Sequence, residues 1–149
     1  MNIACLRFFT VYGKRQRPDL AIAKFTDLIM KNKSIPIYGD GTFKRDFTYI
    51  DDIIDGIIKC ANWLIRVDIP KYEIFNLGES ETHTVLELIK IIEDNLQVNA
   101  IIEFQDEQPG DVKCTYADIS KACDFLDYHP TTKIEDGIKE YIKWKKLNF

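Results

Sequence analysis

Long apolar runs are missing from this 149-residue chain. No stretch approaches the ~20 consecutive apolar residues that a bilayer-spanning helix needs, and the N-terminus lacks the charged, then apolar, then small-residue order of a secretory signal. A cytoplasmic protein with no membrane partner is expected. Cysteine is sparse and scattered: Cys5, Cys60, Cys114 and Cys123 form no CxxC pair, and His83 and His129 are the only histidines. Neither a zinc site nor a disulfide framework is expected, and the thiols read as buried or incidental. Glycine is scarce in a telling way. The seven glycines, at 13, 39, 41, 56, 78, 110 and 137, make no GxGxxG or GxxGxxG, so a phosphate bound here is not held by the glycine loop of a dinucleotide fold.

What is present suits one packed domain: 46% of residues are hydrophobic, 12% aromatic and 30% charged. The net charge of −4 conceals an asymmetry, because residues 1–47 hold nine Lys/Arg against four Asp/Glu and the remainder eleven against twenty. A nucleic-acid binder is usually basic overall, with aromatics interleaved among its cations. This chain is acidic, so no nucleic-acid partner is expected, and a small phosphorylated ligand suits the basic N-terminal third better.

Hydrophobic spacing gives four or five strands alternating with five helices, an α/β pattern. "NIACLRFFTVYG" reads as one strand ending at Gly13. Pro18 and Asp19 then suit a helix start, with Ile22, Phe25 and Ile29 on one face to about Lys31. "SIPIYGDG" is a strand into a Gly-Asp-Gly turn, "RDFTYI" a second short strand, and Asp51 or Asp52 can cap a helix carrying Ile53, Ile57, Cys60, Ala61 and Leu64 on one side. "YEIFNLG" and "AIIEFQ" are further strands. Thr84 with Glu87 makes a capping box, Asp118 caps a short helix, and Thr132 with Glu135 is a second box opening the last helix.

The stretches "LRFFTVYGKRQRPD", "IPIYGDGTFKRDFTYIDDI", "FNLG", "QPGDV", "YADISKA" and "PTTKIEDGIKEYIKW" together resemble, in order, the C-terminal portion of the NAD-dependent sugar-nucleotide epimerase/dehydratase family, the extended short-chain dehydrogenases. Within that family the likeness is greatest to UDP-glucuronate 4-epimerases, through Thr10, "RPD" and Gln108. The resemblance implies a small mixed α/β substrate-binding domain plus the late strands and helices of an incomplete Rossmann fold. Residues 1–149 would be the UDP-sugar-binding region, with the N-terminal Rossmann domain that holds NAD absent. NAD is then the cofactor of the complete enzyme and is not expected to bind this chain. The complete enzyme is expected to be a homodimer. Ile3, Leu6, Phe8, Ile74 and Phe75 are expected to show apolar surface, through which the chain could self-associate.

The family's chemistry uses a YxxxK pair. The one such spacing here, Tyr141 to Lys145, falls at the wrong end of the family's order and reads as plain helix surface. No catalytic, cofactor-binding or metal-binding residue is therefore assigned, and the chain alone is expected to be inactive. The resemblance does imply substrate-binding residues: Thr10, Arg17, Phe25, Ile37, Tyr38, Arg45, Phe47 and Asp111. Arg17 would contact the UDP-sugar, its planar guanidinium being able to grip two phosphate oxygens; the alternative is a solvated arginine. Arg45 would bind a phosphate with Phe47 beside the nucleotide, or else pair with Asp46. Asp111 would accept from ribose hydroxyls or be an exposed turn residue after Pro109-Gly110. Thr10 would hold a uronate carboxylate out of the alignment for decarboxylation, or simply be a β-branched strand residue. Phe25 and residues 37–39 would line the uracil site, although Phe25 suits the core equally. A dehydratase or decarboxylase of the same family, and an inert isolated fragment, stand as alternatives.

Overall fold

In the computed structural model, which describes residues 1–67 and 71–148, the opening apolar run makes two strands. β1 (Ile3–Phe8) pairs in parallel with β5 (Tyr72–Leu77), whereas β2 (Thr10–Tyr12) pairs in parallel with β4 (Lys44–Tyr49). The break is at Phe9, whose N–H still donates to Leu77 O at 3.1 Å. The chain thus passes from one sheet to another at a single residue, and Thr10 stands at the crossing. β6 (Thr82–Thr84) adds antiparallel to β4, and β3 (Ser34–Tyr38) pairs in parallel with β7 (Ile101–Gln105). Five helices complete the described residues: α1 (Ala21–Met30), α2 (Ile50–Arg66), α3 (Val85–Leu96), α4 (Ser120–Leu126) and α5 (Ile134–Asn148). The strands exceed the expected four or five because β2 and β6 are each three residues long, too short for alternation to reveal.

Two apolar cores result. One gathers Tyr12 of β2, Ile22 and Phe25 of α1, Ile35 and Ile37 of β3, Phe47 of β4, Leu88 of α3 and Ile138 of α5. The other packs Phe75 and Leu77 of β5 against Ile53 and Cys60 of α2, Ala122 and Leu126 of α4, and Tyr128. Phe75 is therefore fully buried, not exposed as expected, because α2 and α4 cover its face of the sheet; Ile3, Leu6 and Ile74 are half-buried and Phe8 alone of that set is exposed. In α2 the buried line runs through Ile53, Gly56 and Cys60. A Cβ on Gly56 would stand 2.8 Å from Leu77 and 3.0 Å from Tyr128, so their approach sets the helix rotation. Ile57 and Ala61, expected on the inner side, are turned outward, and Ile54, Ile57, Ile58 and Ile65 make an exposed apolar stripe.

Helix starts were partly legible. Thr84 and Glu87 form the expected capping box; the N-cap of α4 is Ile119 instead of the expected Asp118, whose Oδ1 accepts the N–H of Ser120, the first helical residue, at 3.0 Å. α1 begins at Ala21, after Leu20, with no side-chain cap, and the Asp19 carboxylate is bound to Arg17. Asp52 does not cap its own helix. It accepts the N–H groups of Thr131 and Thr132, at 3.0 and 3.2 Å, and so secures the entry to α5 where a Thr132–Glu135 box was expected. Among the described residues no helix is long and apolar enough to cross a membrane, and no group of three or more His, Cys, Asp or Glu could hold a metal ion.

Candidate functional site

β3, β4, α1 and α3 converge on a cavity of about 270 Å³. Its floor is apolar: Phe25 from α1, Pro36 and Ile37 from β3, Phe47 from β4, Val85 and Leu88 from α3. Its polar groups stand at the rim, namely Thr10, Tyr38, Arg45 and Asp111. An apolar floor with a few convergent polar groups is the usual form of a small-molecule site. The alternation of β4 explains the side on which Arg45 and Phe47 meet, two residues apart on one face. Phe43, two residues further back, is brought to the same wall, as the same alternation would have predicted.

Arg45 Nη2 donates to Asp111 Oδ1 at 2.5 Å and Nη1 to Lys44 O at 2.9 Å, which holds the guanidinium at the cavity rim. The expected alternative partner, Asp46, is fully buried on the other side of β4. The loop carrying Asp111 is held at both ends. Gly39 N–H donates to Gln105 O at 2.9 Å before it, and Lys44 N–H donates to Lys113 O at 2.9 Å after it. Between β3 and β4, Gly39 and Gly41 adopt φ of +72° and +78°, and Asp40 Oδ1 accepts from the Thr42 N–H at 2.9 Å. That turn joins the two strands whose residues line the cavity.

Seven of the eight residues implied by the resemblance, all but Arg17, therefore line one cavity. Arg17 donates through Nε and Nη2 to Asp19, at 3.0 and 2.5 Å, and its side chain is 74% exposed. It lines a separate hollow of about 200 Å³ with Lys14 and Arg15, and Leu20 is the wall the two spaces share. Asp19 holds the Arg17 guanidinium above its ordinary range, and Arg17 holds the Asp19 carboxyl below its own. Beyond Thr10 an open groove of about 580 Å³ runs past Arg7, Asn76 and Thr115. Thr10 thus lines both the cavity and the more open groove beside it. The lining residues that the sequence does not point to, Leu20, Ala21, Pro36, Phe43, Val85 and Leu88, are all apolar, and Val85 and Leu88 come from α3, an element that carries none of the expected site residues.

Another cleft, of about 550 Å³, lies between α1 and α5, lined by Gln16, Met30, Tyr141 and Trp144 among others. Its lysine at position 145 is bound to Asp27 at 2.8 Å. Tyr141, read as helix surface in the sequence, is core: it is 1% exposed and burial pushes its phenol up to about 12. Neither residue of that YxxxK spacing faces the Arg45 cavity.

The sequence model of the NAD dependent epimerase/dehydratase family matches residues 1–78, more than half of the chain. The chain belongs to that family. It is 42% identical over 149 residues to the UDP-glucuronate 4-epimerase of Thermodesulfobacterium geofontis, covering 99% of this chain and 44% of that one. It is 45% identical over 139 residues to an uncharacterised protein of Methanocaldococcus jannaschii, covering 93% and 41%. Among solved structures, it superposes on the Bacillus cereus UDP-glucuronic acid 4-epimerase in complex with UDP-glucuronic acid and NAD, with a TM-score of 0.87, 38% identity and coverage of 97% and 45%. The fold is thus the mixed α/β arrangement of Rossmann-like epimerases, and the chain spans less than half the length of these relatives.

NAD, implied by the family, has no phosphate cradle in these residues. Such a cradle needs a strand, a glycine turn and an immediate helix N-terminus. Gly13 follows β2, but the next helix begins only at Ala21, and the space a Cβ would take at Gly13 is already filled by the Ile50 side chain. The Gly13 turn therefore does not fit the dinucleotide's phosphates, and no reaction step is assigned to the cofactor on this chain.

Proposed function

We propose that this chain is the nucleotide-sugar-binding part of an NAD-dependent UDP-sugar 4-epimerase, with UDP-glucuronate or a related UDP-hexose as the ligand. The observation that carries the reading is the convergence of Phe25, Ile37, Tyr38, Phe47, Arg45 and Asp111, from four separate segments, on one cavity. The aromatic and aliphatic floor, with Phe25 and Phe47, offers a stacking surface for a pyrimidine. At its rim, Arg45 presents a fork suited to phosphate oxygens and Asp111 an acceptor suited to ribose hydroxyls. The two already bond each other, so the diphosphate and ribose would meet a rim whose polar groups are oriented beforehand.

In this reading the hexose projects past Thr10 into the open groove. Binding strength is concentrated on the part of the ligand that does not react, which leaves the sugar free to present either face to the redox centre. The Thr10 hydroxyl then meets the sugar first and would steady a uronate carboxylate against loss of carbon dioxide. Arg17 stands one residue, Leu20, away from this cavity and would serve the sugar end only by leaving Asp19. The chain by itself is expected to bind and not to turn over, because the redox cofactor and the tyrosine-lysine pair would come from outside it. The outward stripe of α2 and the open edge of β1 would meet that other part of the enzyme, or a second copy of this chain. A cytoplasmic site of action goes with this reading. Calorimetric titration with UDP, UDP-glucuronate and ADP tests it: saturable heat with the two uridine compounds is expected, whereas a cooperatively folding sample that gives no heat with either defeats it.

A further inference from the structure

Asp46 is 0% exposed although it is an acid, and it stands on β4 between Arg45 and Phe47, the two residues that face the cavity. Alternation along the strand points it the other way. There its carboxylate gathers donors from its own strand and from two segments distant in sequence. Oδ1 accepts from the Glu79 N–H at 2.9 Å and the Thr48 hydroxyl at 3.2 Å. Oδ2 accepts from the Ser80 N–H at 3.0 Å and the Ala117 N–H at 3.1 Å. The backbone N–H of Asp46 donates in turn to Thr115 Oγ1 at 3.3 Å, and the Thr115 N–H donates to Lys44 O at 3.1 Å. The stretch of β4 that carries Arg45 is thus bound to the turn after β5 and to the segment that continues from the Asp111 loop.

The fit leaves little room. A Cβ on Gly78 would run into the Ala117 Cβ and come within 3.2 Å of Asp46 Oδ1. A buried acid is costly unless its oxygens are bonded, and here all four donors are satisfied by a single arrangement of the three segments. A smaller apolar residue would fill the space without prescribing that arrangement. The acid therefore does something that packing alone does not: it selects one register of the Asp111 segment against β4.

We propose that Asp46 is the positioning residue of the nucleotide cavity, tying β4 to the 78–80 turn and the 115–117 segment so that Arg45 and Asp111 meet across the rim. Asp46 touches no ligand itself. The inference rests on the reading of that cavity as the UDP site, but its first readout needs no nucleotide.

The full chain carrying Asp46→Asn tests it, because the amide keeps the volume but presents NH₂ to N–H donors. Nuclear magnetic resonance of the free protein should show the Arg45 guanidinium Nη–H signal, set by the bonds to Asp111 and Lys44 O, moving toward that of a solvated arginine. Amide exchange at Glu79, Ser80 and Ala117 should quicken by about tenfold or more, while unfolding stays cooperative. UDP affinity should fall by about tenfold, and Arg45→Ala added to Asp46→Asn should cost no more than Arg45→Ala alone, because coupled residues are non-additive. A purely structural acid would instead leave the Arg45 signal in place and give additive losses; either result overturns the proposal. Should Asp46→Asn fail to fold, Thr115→Val and Thr48→Val each remove one bond and keep the acid. Both should then shift the Arg45 signal in the same direction, and an unmoved signal in both overturns the proposal. If the unaltered chain does not bind UDP, the function assigned to the cavity fails, while the Arg45 signal still decides the role of Asp46.

Discussion

Glu79 offers a sharp test of the electrostatics beside the site. Its Oε2 is buried with no hydrogen-bond partner among the described residues, and its carboxyl is pushed from the ordinary 4.5 to about 7. Loss of hydration is the main cause, followed by the neighbouring carboxylate of Asp52. Asp46 and Glu81 add to it, and Lys133 opposes it. Between pH 4.5 and about 7 the folded chain keeps a proton that the unfolded chain has released, so stability falls as pH rises through that window and is level above it. At about 1.4 kcal/mol per pH unit the ceiling is about 3.4 kcal/mol. Because Glu79 is only partly enclosed, solvent screening reduces the expected effect to about 1–2 kcal/mol. Glu79→Gln removes the ionisation. Thermal denaturation of the two proteins across pH 4.5 to 8.5 should give matching midpoints at the acid end, with the variant about 2–8 °C higher above pH 7. A midpoint difference that does not change with pH, or a wild type that is the more stable above pH 7, would refute the reasoning.

Further outcomes follow from the packing and the cavity. Arg45→Ala should weaken UDP binding by about 10- to 100-fold, the usual loss for a charge-assisted hydrogen bond of 1.5–3 kcal/mol, as read by calorimetry. Arg17→Ala should weaken it by less than about fivefold, because that guanidinium is already paired with Asp19 outside the cavity. Phe75→Ala should lower stability by about 3–5 kcal/mol in urea unfolding, since the ring lies fully buried between α2 and α4. Gly137→Ala should cost about 1–3 kcal/mol in the same assay, because the added methyl collides with the Tyr12 ring and hydroxyl.

Features written in neighbouring residues were legible in advance, and features made by distant ones were not. The Thr84–Glu87 box needs only three residues of spacing and is present. The break at Phe9 depends on which strand each half meets, β5 in one case and β4 in the other, and an apolar run carries no mark of that. Asp52 looked like a cap for α2 because of where it stands in the chain, yet the amides it serves, at Thr131 and Thr132, are brought to it only by folding. The site shows the same division. Arg45, Phe47 and Asp111 were found through motifs, and they do share a cavity. Arg17 came from the same kind of motif, but its pairing with the nearby Asp19 holds it at the neighbouring hollow. In the sequence, Asp46 reads only as a partner for Arg45. Strand alternation already argued against that pairing, while its true partners at Glu79, Ser80 and Ala117 could be known only from the fold.

The central claim is that the cavity on β4 holds a uridine diphosphate with Arg45 as its phosphate anchor. A crystal structure of the chain soaked with UDP tests it most directly. The account predicts the pyrimidine against Phe25 and Phe47, with a phosphate oxygen within hydrogen-bond distance of the Arg45 guanidinium. UDP seated instead in the cleft between α1 and α5, with the β4 cavity empty, would contradict it.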